Sequence, residues 1–217
     1  MLFHVMNRGV GKMTLFETQQ DYLAFETIIE ETLRFRPMRI CAYCLMPNHW
    51  HFVLWPERDG QLSSFMQRLT NTHVQRWQKN RDRVGTGHVY QARYKSFPVQ
   101  SEDYFYRVAR YVERNALRAK LVAHAEDWRW SSLWWRVAGD RKKKSLLADW
   151  PVPFPDNWRQ FVNRPETVAE LESLERCVKA GRPFGEAAWI EQIARQLGLE
   201  STLRTKGRPR LSSLAGK

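Results

Sequence analysis

Apolar positions along this chain change period several times, and each change marks an element. Residues 2–6 read as a short strand, and Asn7-Arg8-Gly9 ends it in a turn with a free basic side chain. Thr18 is placed to cap a helix running to about residue 35. Tyr22, Phe25, Ile29 and Leu33 fall at helical spacing within it, and Pro37 stops it. Residues 38–46 form a second strand, broken by Pro47-Asn48 before a third strand that carries His49 and His51. So short a connection pairs the two antiparallel. A second helix over residues 62–79 turns Leu62, Phe65, Met66, Leu69 and Trp77 inward, and the Gly85 and Gly87 region after it reads as a loop. Residues 90–99 are then extended and carry Arg93 and Lys95.

A third helix is expected over residues 101–121, capped by Ser101, with Glu102 and Asp103 suited to the positive end of its dipole. Phe105, Ala109, Val112 and Ala116 form its sheet-facing stripe, while Tyr104, Tyr111, Asn115 and Arg118 share another face. Tyr111 and Asn115 are four apart and stand one above the other, off the apolar stripe. The order strand, helix, strand, strand, helix, strand, helix predicts an α+β fold, a ferredoxin-like antiparallel sheet with helices packed on it.

Beyond this unit, Asp127 to Ser132 acts as a closing segment, followed by the basic run Arg141-Lys142-Lys143-Lys144, which reads first as solvated surface. Pro151, Pro153 and Pro155 mark a stiff linker. Two short helices are expected after it, one with Pro165 at its first position and one over about residues 186–197. The expected organisation is therefore a domain over 1–145, a linker and helical extension over 146–203, and a basic tail over 204–217.

Composition changes this picture chiefly through charge. The net charge is +12 and the pI about 10.0, which points to a polyanionic partner. Residues 51–150 hold nineteen basic against ten acidic side chains, whereas residues 1–50 balance at five and five. Ten Trp residues, several among Arg and Lys, suit base stacking as well as core packing. Three cysteines are too few for a disulfide framework, so a reducing cytoplasm is expected. No apolar run reaches the ~18 residues of a membrane span and no secretory signal opens the sequence, so no membrane partner is expected.

The candidate chemistry starts at His49-Trp50-His51. On a strand, His49 and His51 project to one face and Trp50 to the other, which brings two imidazoles together as a metal site requires. Cys41 and Cys44 precede them, but strand positions three apart point to opposite faces and cannot share an ion without a bulge. Buried, inert thiols are expected.

The stretch Ala42 to His51 (AYCLMPNHWH) is similar to the histidine–hydrophobic–histidine (HUH) signature of single-tyrosine transposases, and Tyr111 to Val122 (YVERNALRAKLV) resembles their nucleophile helix. Val5-Met6-Asn7-Arg8-Gly9, Gln91 to Lys95 and Trp128 to Ser132 resemble the branch associated with repetitive extragenic palindromes (REP), and the likeness covers about residues 1–135. Residues 182–185, 197–199 and 207–210 resemble it less specifically. Many relatives carry Pro where this chain has Ala116.

The resemblance implies an HUH endonuclease-type fold and a nuclease and strand-transfer enzyme acting on single-stranded DNA and REP hairpins. Tyr111 would be the nucleophile, forming a 5′-phosphotyrosine intermediate. His49, His51 and Asn115 would hold a divalent metal, Mg²⁺ or Mn²⁺ by function, although imidazoles also accept Zn²⁺ or Ni²⁺. Arg8, Lys12, Arg93, Lys95 and Arg118 are the cations expected along the DNA, with Arg208 and Arg210 in the tail. Residues 206–210 resemble an AT-hook core; a basic tail with nonspecific phosphate affinity fits them equally. A cytoplasmic, nucleoid-associated monomer or homodimer is expected. The competing function is a transposase-derived DNA-binding protein that regulates or organises DNA without cutting.

Overall fold

A computed structural model of the chain describes residues 1–138 and 146–204. Its centre is a four-stranded antiparallel sheet of β1 (Leu2–Arg8), β2 (Arg39–Met46), β3 (His49–Trp55) and β4 (Lys95–Val99), in the order β2-β3-β1-β4. That is the order two split βαβ units produce, so the α+β, ferredoxin-like expectation holds.

One face is covered by α1 (Gln19–Phe35) and α2 (Gln61–Lys79), which bury Phe25, Ile29, Phe65 and Leu69 against Val5, Trp50, Phe52 and Leu54 of the sheet. Helix α1 starts where its sequence says: Thr18 and Asp21 form a reciprocal capping box, with Asp21 Oδ2 accepting from the Thr18 N–H at 2.9 Å. The other face receives α3 (Asp103–Glu113) and α4 (Asn115–Arg118), and beyond them α6 (Trp158–Asn163) and α7 (Val168–Ala180). Between these lies α5 (Ser132–Ala138), and α8 (Ala187–Leu197) follows. Phe105, Ala109, Val112 and Ala116 are fully buried, as their stripe predicts.

Several local expectations are corrected. Strand β1 continues through Arg8 because Asn7 and Arg8 pair with Trp50 and His49; the chain turns only at Gly9. Strand β4 begins at Lys95, so Arg93 precedes it. Helix α3 starts at Asp103, with Glu102 at φ 64° as an N-cap that makes no side-chain bond, so Ser101 is not the cap. The expected single helix is interrupted at Arg114, between Tyr111 and Asn115. The first helix past the linker begins at Val168, not at Pro165, because Thr167 and Glu170 make a second capping box. Helix α6 falls where only linker was expected.

The proline-bearing stretch is tied to the sheet. Ala148 N–H donates to Ile40 O (3.0 Å), Trp150 Nε1 to Cys41 O (2.7 Å) and Tyr106 Oη to Pro153 O (2.6 Å). Among the described residues no helix is long and apolar enough to cross a membrane.

Candidate active site

Period two along β3 sends Trp50, Phe52 and Leu54 into the core under α1 and α2, and His49 and His51 to the face covered by α3. The two imidazoles meet edge to face with centroids 5.0 Å apart. From the next strand, His4 approaches His51, its Nε2 2.9 Å from His51 Nδ1 in a fully buried contact. Helix α3 lays the Tyr111 ring edge-on to His51, centroids 5.8 Å apart, and 6.1 Å from His4. After the break at Arg114, Asn115 comes close enough to His49 to influence its protonation, and the Arg118 guanidinium lies 4.2 Å over the Tyr111 ring. The expected site residues Tyr111, His49, His51, Asn115 and Arg118 therefore converge on one small volume.

A hydrogen bond sets the His49 tautomer. The Asn48 amide nitrogen donates to Lys12 O (3.2 Å), which turns its oxygen to His49 Nδ1 at 2.6 Å. His49 Nδ1 must carry the proton, leaving Nε2 as a free lone pair. His51 presents Nε2 in the same way when its Nδ1–H donates to His4 Nε2. Burial keeps all three rings neutral, the form that ligates metal. It pushes His4 down to about 3 and His49 down to about 4, where Arg8 and Arg118 add to it and the Asn115 side chain opposes it. His51 is driven well below the usual imidazole range, by burial first, then by the other two rings, His49 and His4, and then by Arg118 and Arg8.

Two imidazole nitrogens and one amide oxygen make a neutral donor set of the kind a divalent ion accepts. The Asn115 amide nitrogen is buried without a partner, so this side chain is not committed elsewhere in the core. Among the described residues no group of three or more His, Cys, Asp or Glu could hold a metal ion.

Tyr111 was expected off the core on a surface face, yet it is only 8% exposed. His4, His51 and Arg118 pack on it, and acids from far along the chain lie within electrostatic reach. Glu166 binds Arg114 Nε at 2.9 Å and Arg118 Nη1 at 3.1 Å, which anchors the segment leading into α7 beside the Tyr111 ring. Burial raises the phenol above its usual range; Arg118 opposes that rise, and Glu175 and Glu166 add to it. Tyr104, the other tyrosine of this face, sits away from the histidines with its ring against Phe184.

Arg8 ends β1 directly opposite His49, half-buried, with its Nε unpartnered. Lys12, Arg93 and Lys95 are exposed; Lys95 pairs with Met6, which also faces His51 across the sheet. Arg208 and Arg210 lie outside the described residues. Sequence reasoning passed over His4 and Asn48. The signal was available for His4, which shares the period-two face of β1 with Leu2 and Met6.

The cysteine argument needs correction. A register shift between Ile40 and Ala42 puts a bulge at Cys41, so Cys41 and Cys44 both pack on the α3 face. Both thiols are buried as expected, and burial pushes each up to about 12, which disfavours the thiolate that a metal would need.

Residues 1–115 match the sequence pattern of the family described as IS200-like transposases. The fold is similar to that of a REP-associated tyrosine transposase solved with a REP hairpin. Identity is 20%, the alignment covers 77% of this chain and 92% of that one, and the TM-score is 0.51. A protein from Deinococcus radiodurans R1 described as a transposase is similar at 11% identity, over 56% of this chain and 85% of its own, with a TM-score of 0.40. No curated protein sequence matches.

Proposed function

The chain belongs to the IS200-like transposase family, and on that premise we propose that it is a metal-dependent endonuclease and strand transferase for single-stranded DNA, with Tyr111 as nucleophile. The observation that carries this reading is the position of the Tyr111 ring, edge-on to His51 at 5.8 Å and beneath the Arg118 guanidinium at 4.2 Å.

His49, His51 and Asn115 would hold Mg²⁺ or Mn²⁺, which supplies charge neutralisation at the scissile phosphate. The phenol oxygen of Tyr111 attacks phosphorus, forming a 5′-phosphotyrosine bond and breaking the bond to the 3′ oxygen. The phenolic proton is lost and the departing 3′ oxygen gains one, so the products are the covalent adduct and a free 3′-OH. Because the phosphoester link is kept, a 3′-OH can reverse the step and join strands. Arg118 stabilises the developing phenolate through its charge over the ring, which offsets part of the effect of burial. Arg8, Lys12, Arg93 and Lys95 would guide the strand by phosphate contacts. The fold neighbour bound to a REP hairpin supports a hairpin of this kind as substrate.

The test is adduct formation with a hairpin oligonucleotide bearing a single-stranded extension, in Mn²⁺. Wild-type protein should give a denaturant-resistant protein–DNA band. Tyr111→Phe should lose it while binding the hairpin normally, and His49→Ala/His51→Ala should do the same. An adduct that survives Tyr111→Phe overturns the nucleophile assignment.

A further inference from the structure

On the Tyr111 side of α3, two turns toward its start, a second concave site opens that the chemistry above does not use. It is a cavity of about 390 Å³ between α3, α7 and the segment joining α7 to α8. Leu174, Phe184 and Ile190 contribute apolar surface, Tyr104 stands at one wall, and Arg107, Arg176 and Arg182 line the rest. Arg176 and Arg182 have no hydrogen bond or ion pair among the described residues, and Arg107 lies over the Tyr104 ring, 5.4 Å to its centroid, within electrostatic reach of Glu170. The acid that lines the cavity, Glu170, is engaged by the Thr167 cap and by Arg110. Three guanidiniums thus gather around an apolar hollow, with the one lining acid shared by Thr167, Arg110 and Arg107, so that Arg176 and Arg182 have no carboxylate paired with them among the described residues.

The wall is preformed. Phe184 bridges Val99 in parallel, with Phe184 N–H donating to Pro98 O and Gln100 N–H to Phe184 O, both at 2.9 Å, so the segment extends the sheet beyond β4. Gly185 permits this approach: a Cβ there would sit 2.5 Å from the Trp189 ring and 2.6 Å from the Gln100 side chain. The cavity is also in line with the site. Tyr104 and Tyr111 are seven residues apart, on nearly the same helical face and separated by ~10 Å along the axis.

From this arrangement we infer that the cavity takes an unstacked nucleotide of the single strand leading to the scissile phosphate. Its base enters the apolar hollow beside Tyr104, and its flanking phosphates meet Arg107, Arg176 and Arg182. Guanidiniums match phosphate geometry, and a ring wall accepts any base face. The inference rests on the proposed action on single-stranded DNA, and names where that strand is held.

The experiment uses the full chain carrying Tyr111→Phe, to separate binding from cleavage. The probes are a blunt hairpin and the same hairpin with a single-stranded extension bearing 2-aminopurine. Arg176→Ala/Arg182→Ala should weaken binding of the extended hairpin about tenfold and reduce its salt slope by ~1.4, two phosphates' worth. Blunt hairpin binding should stay within about twofold. Tyr104→Leu should cost about fivefold or more and suppress the 2-aminopurine signal. Far-ultraviolet dichroism on each variant checks folding, and Arg176→Ala alone, at an exposed position, gives a folded fallback with about half the slope change.

Equal losses on both probes, no loss on either, or displacement by polyglutamate as effective as by DNA overturns the inference. If wild-type protein forms the covalent adduct while the arginine variants bind the extension unchanged, the pocket assignment fails and the proposed function stands. If no adduct forms but the arginine-dependent preference for the extension persists, the pocket stands and the nuclease reading fails.

Discussion

Replacing His4 with phenylalanine tests how the metal-binding tautomer is set. The His4 ring packs on Phe97 with centroids 4.8 Å apart, and a phenyl ring keeps that contact and most of the volume. What disappears is the acceptor 2.9 Å from His51 Nδ1. A buried N–H left without a partner costs about 1–3 kcal/mol, so His51 would move its proton to Nε2. That is the nitrogen a metal ion needs, and the expected loss of Mn²⁺ affinity is about 10–100-fold. Fold stability should change by less than about 1 kcal/mol, because His4 Nδ1 is itself buried without a partner and its removal relieves an unsatisfied atom. Calorimetric titration of DNA-free protein with Mn²⁺ reads affinity without recourse to cleavage, and urea unfolding reads stability on the same samples. His4→Gln, which can return an oxygen acceptor, should recover part of the affinity. If His4→Phe binds Mn²⁺ as tightly as wild type, the hydrogen bond does not set the ligand tautomer and the argument fails.

Two further outcomes follow from burial and charge. His4 and His73 are held down to about 3 and His49 to about 4, so below the unfolded value of ~6.5 the unfolded chain binds protons that the native rings refuse. Stability is therefore complete above pH 6.5 and falls as pH drops toward 3, by up to ~1.4 kcal/mol per pH unit for each ring. Urea midpoints between pH 7 and pH 5 should decline, and His73→Phe, remote from the metal site, should flatten the decline; a level profile contradicts the assignment. Glu166→Gln removes the charge that holds Arg114 and Arg118 and should lower stability by about 2 kcal/mol. Limited proteolysis should then cut residues 146–204 sooner than in wild type, and unchanged melting and cleavage would show that the pair contributes nothing.

The parts of this protein that were legible in its sequence are those written in local periodicity. Alternation placed His49 and His51 on one face, the Thr18–Asp21 pair set the start of α1, and the 3.6-residue stripe of α3 identified its buried side. The errors arose where distant segments decide. The Cys41 bulge reflects pairing with β3, and no alternation rule applied to β2 alone contains it. The start of α7 was masked by Pro165, although Thr167 and Glu170 carried the stronger capping signal. Glu166, some fifty residues away, anchors Arg114 and Arg118 near Tyr111, and Glu113 at the end of α3 is paired with Trp158 of α6 at 2.6 Å. Such contacts have no signature in the residues nearest the site.

The division of chemistry between elements follows from rigidity. Both proposed imidazole donors sit on β3, an interior strand paired on each side, where backbone bonds and contacts with His4 and Asn48 constrain direction. The proposed nucleophile comes from a helix, and the break at Arg114 falls between Tyr111 and the proposed amide donor Asn115. Neutral donors also leave the full charge of a divalent ion available to the phosphate, whereas a carboxylate ligand would cancel part of it. Carboxylates appear instead beside the phenol, as Glu166 and Glu175, where they oppose ionisation, while Glu166 occupies the guanidinium of Arg118. Without DNA, burial and these acids keep Tyr111 protonated. A phosphodiester competing with Glu166 for Arg118 would exchange one anion for another at the same cation, which would couple arrival of DNA to release of Glu166 beside the proposed nucleophile.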